Sequence, residues 1–247
     1  MLVLDEIQTG LGRTGRLFAA EHDGLQPDVV LLAKALGGGL VSLGACICSE
    51  KAWAPDFGVY HSSTFANNHL SCAIGVAVLD RLLQDEGRLV REVAAKGEYL
   101  RRRLEHLVEA YPKAFAGVNG QGLMQGLRLT SWDGSDGYFL AHASSTGTAV
   151  PLVCGYLMAE HRILTAPTFN HSGVLRLEPA LTVTIDEIDH VMRALEDVAR
   201  LITDGNFVRL LQYITGAPET GAAANHPESC ERSSAHGQHE AVRAVSR

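Results

Sequence analysis

Short apolar runs alternate with glycine-rich turns at the start of the chain. The runs at 2–5, 28–33 and 43–48 have the length and apolar content of buried strands. Strands that are apolar on both faces are typical of parallel sheets covered by helices on each side. The pattern therefore predicts part of a parallel sheet.

A helical pattern follows between residues 68 and 112. Residues 68–83 are apolar nearly all round, which predicts a buried helix, and Gly87 interrupts it. A helical stripe then continues towards Pro112, and its apolar members are Leu89, Val93, Leu100, Leu104, Leu107 and Tyr111. We expect this second helical stretch to link the first sheet to a second, smaller domain.

The pattern becomes mixed in the second half of the chain. Apolar positions alternate around Gly126 in 123–129 and again in 174–177, which predicts strands, while 150–161 predicts a helix. From Gly216 onward small, polar and charged residues predominate, and this composition predicts a disordered tail.

A capped helix is predicted just before that tail. Thr184 and Glu187 have the spacing of a capping box at a helix start. The apolar face of this helix consists of Ile188, Val191, Met192, Leu195, Ala199 and Ile202. We interpret this face as core packing and not as a cofactor surface.

Composition narrows the class of protein. The chain has 247 residues and is 46% hydrophobic, so it can bury a core. Its net charge of −7 argues against a nucleic-acid-binding protein. The basic run 101–103 is interpreted as a solvated helix face. No apolar run is long enough to span a membrane, and no targeting segment precedes Asp5.

The cysteines indicate neither a zinc site nor a disulfide framework. Their number, five, is odd, and no pair has zinc-like spacing. Cys46 and Cys48 are placed on one face of a strand. We interpret the cysteines as reduced core thiols of a cytoplasmic protein and expect no metal site.

An acid and an amine each follow a predicted strand. Asp5 ends the first run, and Lys34 is the one lysine of four that lies within an apolar run. Apolar surroundings favour the neutral amine that forms a Schiff base, and a buried carboxylate can keep a pyridine nitrogen protonated. In α/β sheets both groups would meet at the carboxyl ends of parallel strands. The pair predicts a pyridoxal phosphate (PLP) site.

Simpler interpretations exist for the same residues. Asp5 could cap a turn, and Glu6 could be an exposed charge. His61 could shuttle protons, although a structural histidine is the more frequent case.

Three motifs together resemble a known family. DEIQTGLGRTG (5–15), LLAKALGGG (31–39) and HSSTFANN (61–68) occur in the order typical of class III aminotransferases of the ornithine, acetylornithine and omega-amino acid type. The resemblance continues more weakly through 120–129 and 174–189. It implies an α/β chain that forms part of a fold-type I PLP-dependent transferase, with an incomplete parallel sheet domain and a smaller α+β carboxyl-terminal domain.

The resemblance also implies roles for individual residues. Asp5 would pair with the ring nitrogen, Gln8 would contact the ring hydroxyl, and Lys34 would form the Schiff base. Thr64 would bind the cofactor phosphate of the neighbouring subunit, which implies a homodimer in the full-length form.

Thr64 has a physical reason to bind phosphate as well. A hydroxyl before a helix can donate to a phosphate where free amides and the helix dipole also favour an anion. The alternative is that Ser62, Ser63, Thr64 and Asn67 only cap the helix that starts near Asn68.

Arg176 is the candidate for substrate recognition. In VLRLEP its side chain projects to the opposite side of the strand from Leu175 and Leu177, and its guanidinium can grip a carboxylate at two points. The resemblance implies the same role, holding the carboxylate of amino-acid substrates. Glu178 lies two residues on and could instead take Arg176 into an ion pair.

Four segments follow from these patterns. Residues 1–87 are expected to form part of the large PLP-binding domain, and 88–112 a linking helix. Residues 113–215 would form the small α+β domain, and 216–247 the tail.

The expected function is PLP-dependent transamination between an amine or amino acid and a 2-oxo acid. Family members carry further sheet strands, the main phosphate turn and a ring-stacking residue before the Asp5 motif, so we expect an amino-terminally truncated chain that is not active alone. A non-catalytic remnant or dimerisation partner is one alternative, and a mutase or racemase is another.

Overall fold

The structure, a computed structural model, describes residues 1–60, 63–132, 138–168 and 173–216. Residues Met1–Gly216 belong to one compact unit. The predicted tail, His61 and Ser62 lie outside the described residues.

The described part of the chain contains seven strands and seven α-helices. The strands are β1 (Val3–Asp5), β2 (Val29–Leu32), β3 (Ala45–Cys48), β4 (Phe115–Gln121), β5 (Met124–Leu129), β6 (Ala166–Pro167) and β7 (Val174–Leu177). The α-helices are α1 (Pro55–Tyr60), α2 (His69–Ala110), α3 (Tyr138–Ser145), α4 (Ala149–His161), α5 (Ile185–Thr203), α6 (Phe207–Leu210) and α7 (Gln212–Thr215). Two 3₁₀ helices span Ala19–His22 and Lys34–Gly37.

The first three strands form one sheet in the order β1-β2-β3. β1 and β2 are parallel, as predicted, and Asp5 lies opposite Leu31. β3 runs antiparallel to β2, so the prediction of a parallel sheet is wrong for this strand. The prediction that these strands are buried is wrong for the described chain, because Val3 and Ile47 are each 51% exposed. The small apolar cluster around Leu32 and Leu36 covers only part of the sheet.

Helix α2 is interrupted where Gly87 predicted a break. Residues 84–87 leave the helical region, and Asp85, Glu86 and Gly87 have φ angles of 52°, 57° and 74°. Glycine adopts such an angle at little cost, whereas Asp85 and Glu86 have angles that non-glycine residues seldom adopt. The break therefore includes Gly87 but is not explained by glycine alone. The part before the break is not buried all round, since Leu70 and Val76 are 66% and 57% exposed. That expectation from its apolar composition is therefore wrong.

The second sheet is antiparallel, with the order β4-β5-β7-β6. The strand predicted at 174–177 has the observed bounds of β7, and the strand predicted at 123–129 begins one residue later as β5. β4 and β6 were not predicted, because β4 carries two glycines and β6 is a two-residue strand that ends in proline.

The larger apolar core lies beneath this second sheet. The second part of α2 contributes Val93, Leu100 and Leu104, and α5 packs against the same cluster. Thr184 and Glu187 form the predicted capping box at the start of α5. The predicted apolar face of α5 is confirmed as core packing, with Leu195 and Ala199 fully buried.

The two sheets meet through close backbone contacts. A Cβ atom added to Gly122 would lie 2.4 Å from the Thr14 carbonyl carbon, and one added to Gly97 would lie 2.4 Å from Gly122. Only glycine allows these backbones to approach so closely. The loop after β1 is thereby held against α2 and the β4–β5 turn, which brings the first sheet to the edge of the second.

Candidate active site

The loop after β1 is organised by a buried carboxylate. Glu6 is 4% exposed, so the expectation of an exposed charge is wrong. Its Oε1 accepts a hydrogen bond from the Ala20 amide at 2.8 Å, and its Oε2 accepts from the Thr9 hydroxyl. The Glu6 amide also donates to the Leu31 carbonyl at 3.0 Å, which extends the pairing of β1 with β2. Glu6 therefore fixes the course of the loop that carries Gln8.

Asp5 is the last residue of β1 and lies opposite Leu31. Its Oδ1 accepts from the Ile7 amide at 3.0 Å, so it caps the turn, as the simpler interpretation proposed. The residue is exposed in the described chain, so the expected burial is wrong here. Its position at the carboxyl end of a parallel strand agrees with the prediction.

Lys34 begins the 3₁₀ helix that follows β2. Its φ angle is +46°, a left-handed conformation that non-glycine residues seldom adopt and that clusters at functional sites. The side chain is exposed, so the expected burial among apolar walls is wrong for the described chain. The neighbouring residues Leu32 and Leu36 are buried in the small apolar cluster, whereas Lys34 between them is exposed.

Gln8 connects Lys34 to the second sheet. The Lys34 Nζ donates to Gln8 Oε1 at 2.6 Å. The Gln8 Nε2 donates to both carboxylate oxygens of Glu178, at 2.7 and 3.0 Å. Glu178 directly follows β7, so this contact joins the lysine-bearing edge of the first sheet to the end of a strand in the second.

Arg176 reaches the same place from β7. Its Nε lies 3.8 Å from Glu178 Oε2, so the alternative ion pair is present. The distance is near the upper limit of about 4 Å for an ion pair. Among the described residues no hydrogen bond is found to the two terminal nitrogens of Arg176. The outer edge of the guanidinium remains able to bind a carboxylate.

These side chains line a single cavity of about 420 Å³. Gln8, Lys34, Arg176 and Glu178 all contribute to its wall. This volume lies within the range of about 300–1,000 Å³ that is typical of small-molecule sites. The structure thus brings together three of the predicted site residues and adds Glu178.

Arg13 was missed by sequence reasoning. Its Nη1 donates to the Pro179 carbonyl at 2.5 Å and to the Leu123 carbonyl at 3.2 Å. Burial lowers the pKa of Arg13, and the charge of Glu178 partly offsets this. Arg13 therefore ties the loop after β1 to the backbone beside Glu178. Nothing local in the sequence indicates this contact, because its partners lie more than a hundred residues away.

Thr64 is not brought to this cavity by the described chain. It is exposed in a turn before α2, and Asn68 caps that helix by accepting from the Ser71 amide at 3.0 Å. The helix start near Asn68 is confirmed. The two remaining residues of the capping alternative, Ser63 and Asn67, lie in the same turn region.

Three side chains offer the groups that PLP needs. Lys34 and Gln8 provide an amine and an amide in the cavity wall, and Asp5 provides a carboxylate at the end of the adjacent parallel strand, outside that wall. Bound PLP supplies an electron sink for bonds at the amine-bearing carbon of a substrate. The protein residues would hold the ring, and Lys34 would also move the proton at that carbon.

Other predicted features are also placed. The four described cysteines are free thiols, but Cys46 and Cys72 are exposed, so their interpretation as core residues is wrong. Cys46 and Cys48 share one face of β3, with sulfurs 3.8 Å apart.

Among the described residues no cluster of His, Cys, Asp and Glu could hold a metal ion, and no helix is long and apolar enough to cross a membrane.

The family is shown by comparison with known proteins. The family model for class-III aminotransferases matches residues 1–199. The chain therefore belongs to the class-III aminotransferases, which are PLP-dependent, as its motifs implied.

Individual relatives agree with this family. The chain is 36% identical over 202 residues to a putrescine aminotransferase of Pectobacterium atrosepticum, a match that covers 81% of the chain and 39% of the relative. An acetylornithine aminotransferase structure from Elizabethkingia anophelis superimposes with a TM-score of 0.66 at 31% identity, over 81% of this chain and 46% of that one.

A third comparison concerns the cofactor. An ornithine aminotransferase structure from Toxoplasma gondii, with PLP at partial occupancy in its active site, gives a TM-score of 0.68 at 29% identity. That match covers 84% of this chain and 45% of the solved one. The chain thus spans less than half the length of these relatives, and its mixed α/β structure is part of their fold-type I fold.

Proposed function

We propose that the protein catalyses PLP-dependent transamination, moving an amino group between an amine or amino acid and a 2-oxo acid. One observation carries the proposal. Lys34, Gln8 and Arg176 line the same cavity although they come from two different sheets. A reactive amine and a carboxylate-binding fork on one cavity are what a transaminase needs to hold its cofactor and its substrate.

Each side chain has a distinct task in this proposal. Lys34 would hold PLP through its amine and would move the proton at the amine-bearing carbon of the substrate. Asp5 would hold the ring nitrogen and Gln8 the ring hydroxyl. Arg176 holds the substrate carboxylate through its outer edge, while its Nε stays near Glu178.

Assembly is part of the same proposal. Thr64 lies away from the cavity of its own chain, exposed before α2, where it could bind the phosphate of PLP held by a second subunit. This supports a homodimer with shared sites, and the free thiols of the described cysteines support a location in the cytoplasm. The proposal divides the chain into 1–87 and 113–215, joined by the linking helix 88–112, since each part contains one of the two sheets.

Transfer of an isotopically labelled amino nitrogen tests the proposal. The PLP-loaded protein, in a form that also carries the region that family members have before the Asp5 motif, is incubated with a labelled amine or amino-acid donor and a 2-oxo acid. The amino-acid product is analysed by mass spectrometry. We expect label in the product for the wild type and for Lys51→Ala, and none for Lys34→Ala. Absence of transfer in the wild type, or transfer that persists without Lys34, would contradict the proposal.

A further inference from the structure

Lys34, Gln8 and Glu178 form one continuous chain of hydrogen bonds. The Gln8 amide uses both of its ends, since Oε1 accepts from Lys34 and Nε2 donates to Glu178. Rotation of a side-chain amide group by 180° exchanges the positions of its oxygen and nitrogen. Only the observed orientation is compatible with both neighbours when both are charged, because a protonated Lys34 can only donate and an ionised Glu178 can only accept.

Glu178 is well placed to select that orientation. Both of its carboxylate oxygens lie within 3.0 Å of Gln8 Nε2. Its side chain is 18% exposed, so this charge-assisted contact is partly shielded from water. The next residue, Pro179, is held through its carbonyl by Arg13, which fixes the backbone beside the carboxylate.

We propose that Glu178 is a positioning residue that holds the Gln8 amide with its oxygen towards Lys34. This inference rests on the proposed function, because the orientation of Gln8 matters for activity only if Lys34 is the amine that bonds to PLP. Without Glu178 the amide could turn its NH₂ group towards Lys34, so that two donors would face each other. The contact between Gln8 and Lys34 would then be lost for part of the time.

Exchange of the Gln8 side-chain amide protons, followed by NMR, tests the positioning without any cofactor. Loss of the Gln8 signal in a Gln8→Ala variant assigns it. In the wild type we expect slower exchange than for the exposed Gln84. Glu178→Ala should accelerate exchange on the order of tenfold, because a hydrogen bond to a charged acceptor is lost. Glu178→Gln keeps a carbonyl acceptor of the same shape and should restore most of the protection.

A control variant tests whether the faster exchange is specific to Glu178 or follows from the removal of any carboxylate. Glu105→Ala removes the exposed partner of Arg101 on α2 and should leave Gln8 exchange unchanged. Equal acceleration in the Ala and Gln variants of Glu178 would overturn the proposal. Wild-type Gln8 protons that exchange as fast as those of Gln84 would also overturn it, even if Glu178→Ala fails to fold.

Covalent trapping of PLP gives the second readout. After reduction with borohydride, the yield on Lys34 should fall several-fold in Glu178→Ala and recover in Glu178→Gln. If PLP never labels Lys34 but Gln8 exchange still depends on Glu178, the proposed function is wrong and the positioning is supported. If Lys34 is labelled equally in all variants and Gln8 exchange does not change, the positioning is wrong and the proposed function stands.

Discussion

The Nε2 of Gln8 donates to the carboxylate of Glu178 at 2.7 Å, across 170 residues of sequence. Gln8 follows β1 in the first sheet, and Glu178 follows β7 in the second. The cavity is therefore assembled from loops that leave two different sheets. Its geometry depends on how those sheets are held together, which involves Arg13 and the close approach of Gly122 to Thr14.

Removal of Arg176 should affect substrates according to their charge. Arg176→Ala is expected to reduce kcat/KM for amino-acid donors by about 2 kcal/mol more than for simple amines, because only the former lose a charge-assisted contact. Steady-state kinetics on matched donors measures the difference, in a form of the protein that also carries the region that family members have before the Asp5 motif. The control is Arg128→Ala, which removes an arginine of the same sheet outside the cavity wall. It should leave kcat/KM unchanged for both classes of donor. Equal losses on both donor classes would indicate that Arg176 serves only its pair with Glu178.

Removal of Asp5 should weaken cofactor binding. Asp5→Ala deletes the carboxylate that the proposal places on the ring nitrogen, and we expect the Kd for PLP to rise at least about tenfold. Asp80→Ala removes an exposed carboxylate of α2 and should have no effect. Absorbance titration with PLP gives both values. An unchanged Kd in Asp5→Ala would leave this residue with the turn-capping role seen at the Ile7 amide.

Local patterns in the sequence predicted much of the fold. The break at Gly87, the capping box of Thr184 with Glu187 and the strand at 174–177 depend on residues within a few positions of one another. Local preference is enough to specify such features. The order of Asp5 and Lys34 after neighbouring parallel strands followed from the same kind of pattern.

Features that depend on distant contacts were missed or wrong. The burial of Glu6 requires the Ala20 amide, and the role of Arg13 requires the carbonyls of Leu123 in the β4–β5 turn and of Pro179 after β7. The exposure of Lys34 could not be derived from the apolar residues around it. Leu32 and Leu36 are buried, whereas Lys34 between them is exposed. Apolar composition indicated burial correctly only where a second layer covers the element, as for α5.

The capping box should make the stability of α5 depend on pH. Thr184 donates to Glu187 through its backbone amide and its hydroxyl, and these hydrogen bonds lower the pKa of Glu187. A lowered pKa in the folded state stabilises the fold above the normal glutamate pKa, about 4.3. This contribution is lost as the pH falls through the folded-state pKa.

Variants of the box test this account by chemical denaturation at several pH values. Thr184→Ala should lower the free energy of unfolding by about 1 kcal/mol near neutral pH. Glu187→Gln should remove the part of the acid-induced loss that comes from this residue. An identical pH dependence in wild type and Glu187→Gln would contradict the role of the carboxylate.

Cys154 should resist alkylation in the folded protein. Burial raises the pKa of the Cys154 thiol to about 11. At about pH 8 roughly one Cys154 thiol in a thousand would then be ionised, and the thiolate is the reactive form. Mass spectrometry after iodoacetamide treatment should show modified, exposed Cys72 and unmodified Cys154 until denaturant is added. Equal modification of the two cysteines in the folded protein would contradict the shielding of the Cys154 thiol.

The central claim, that Lys34 carries the cofactor, is tested most directly by mapping the site of covalent attachment. The protein is loaded with PLP, reduced with borohydride, digested and analysed by mass spectrometry. The chain has only four lysines, so each one can be scored separately. We predict that the adduct is found on the Lys34 peptide and is lost in Lys34→Arg. An adduct confined to Lys51, Lys96 or Lys113 would contradict the account.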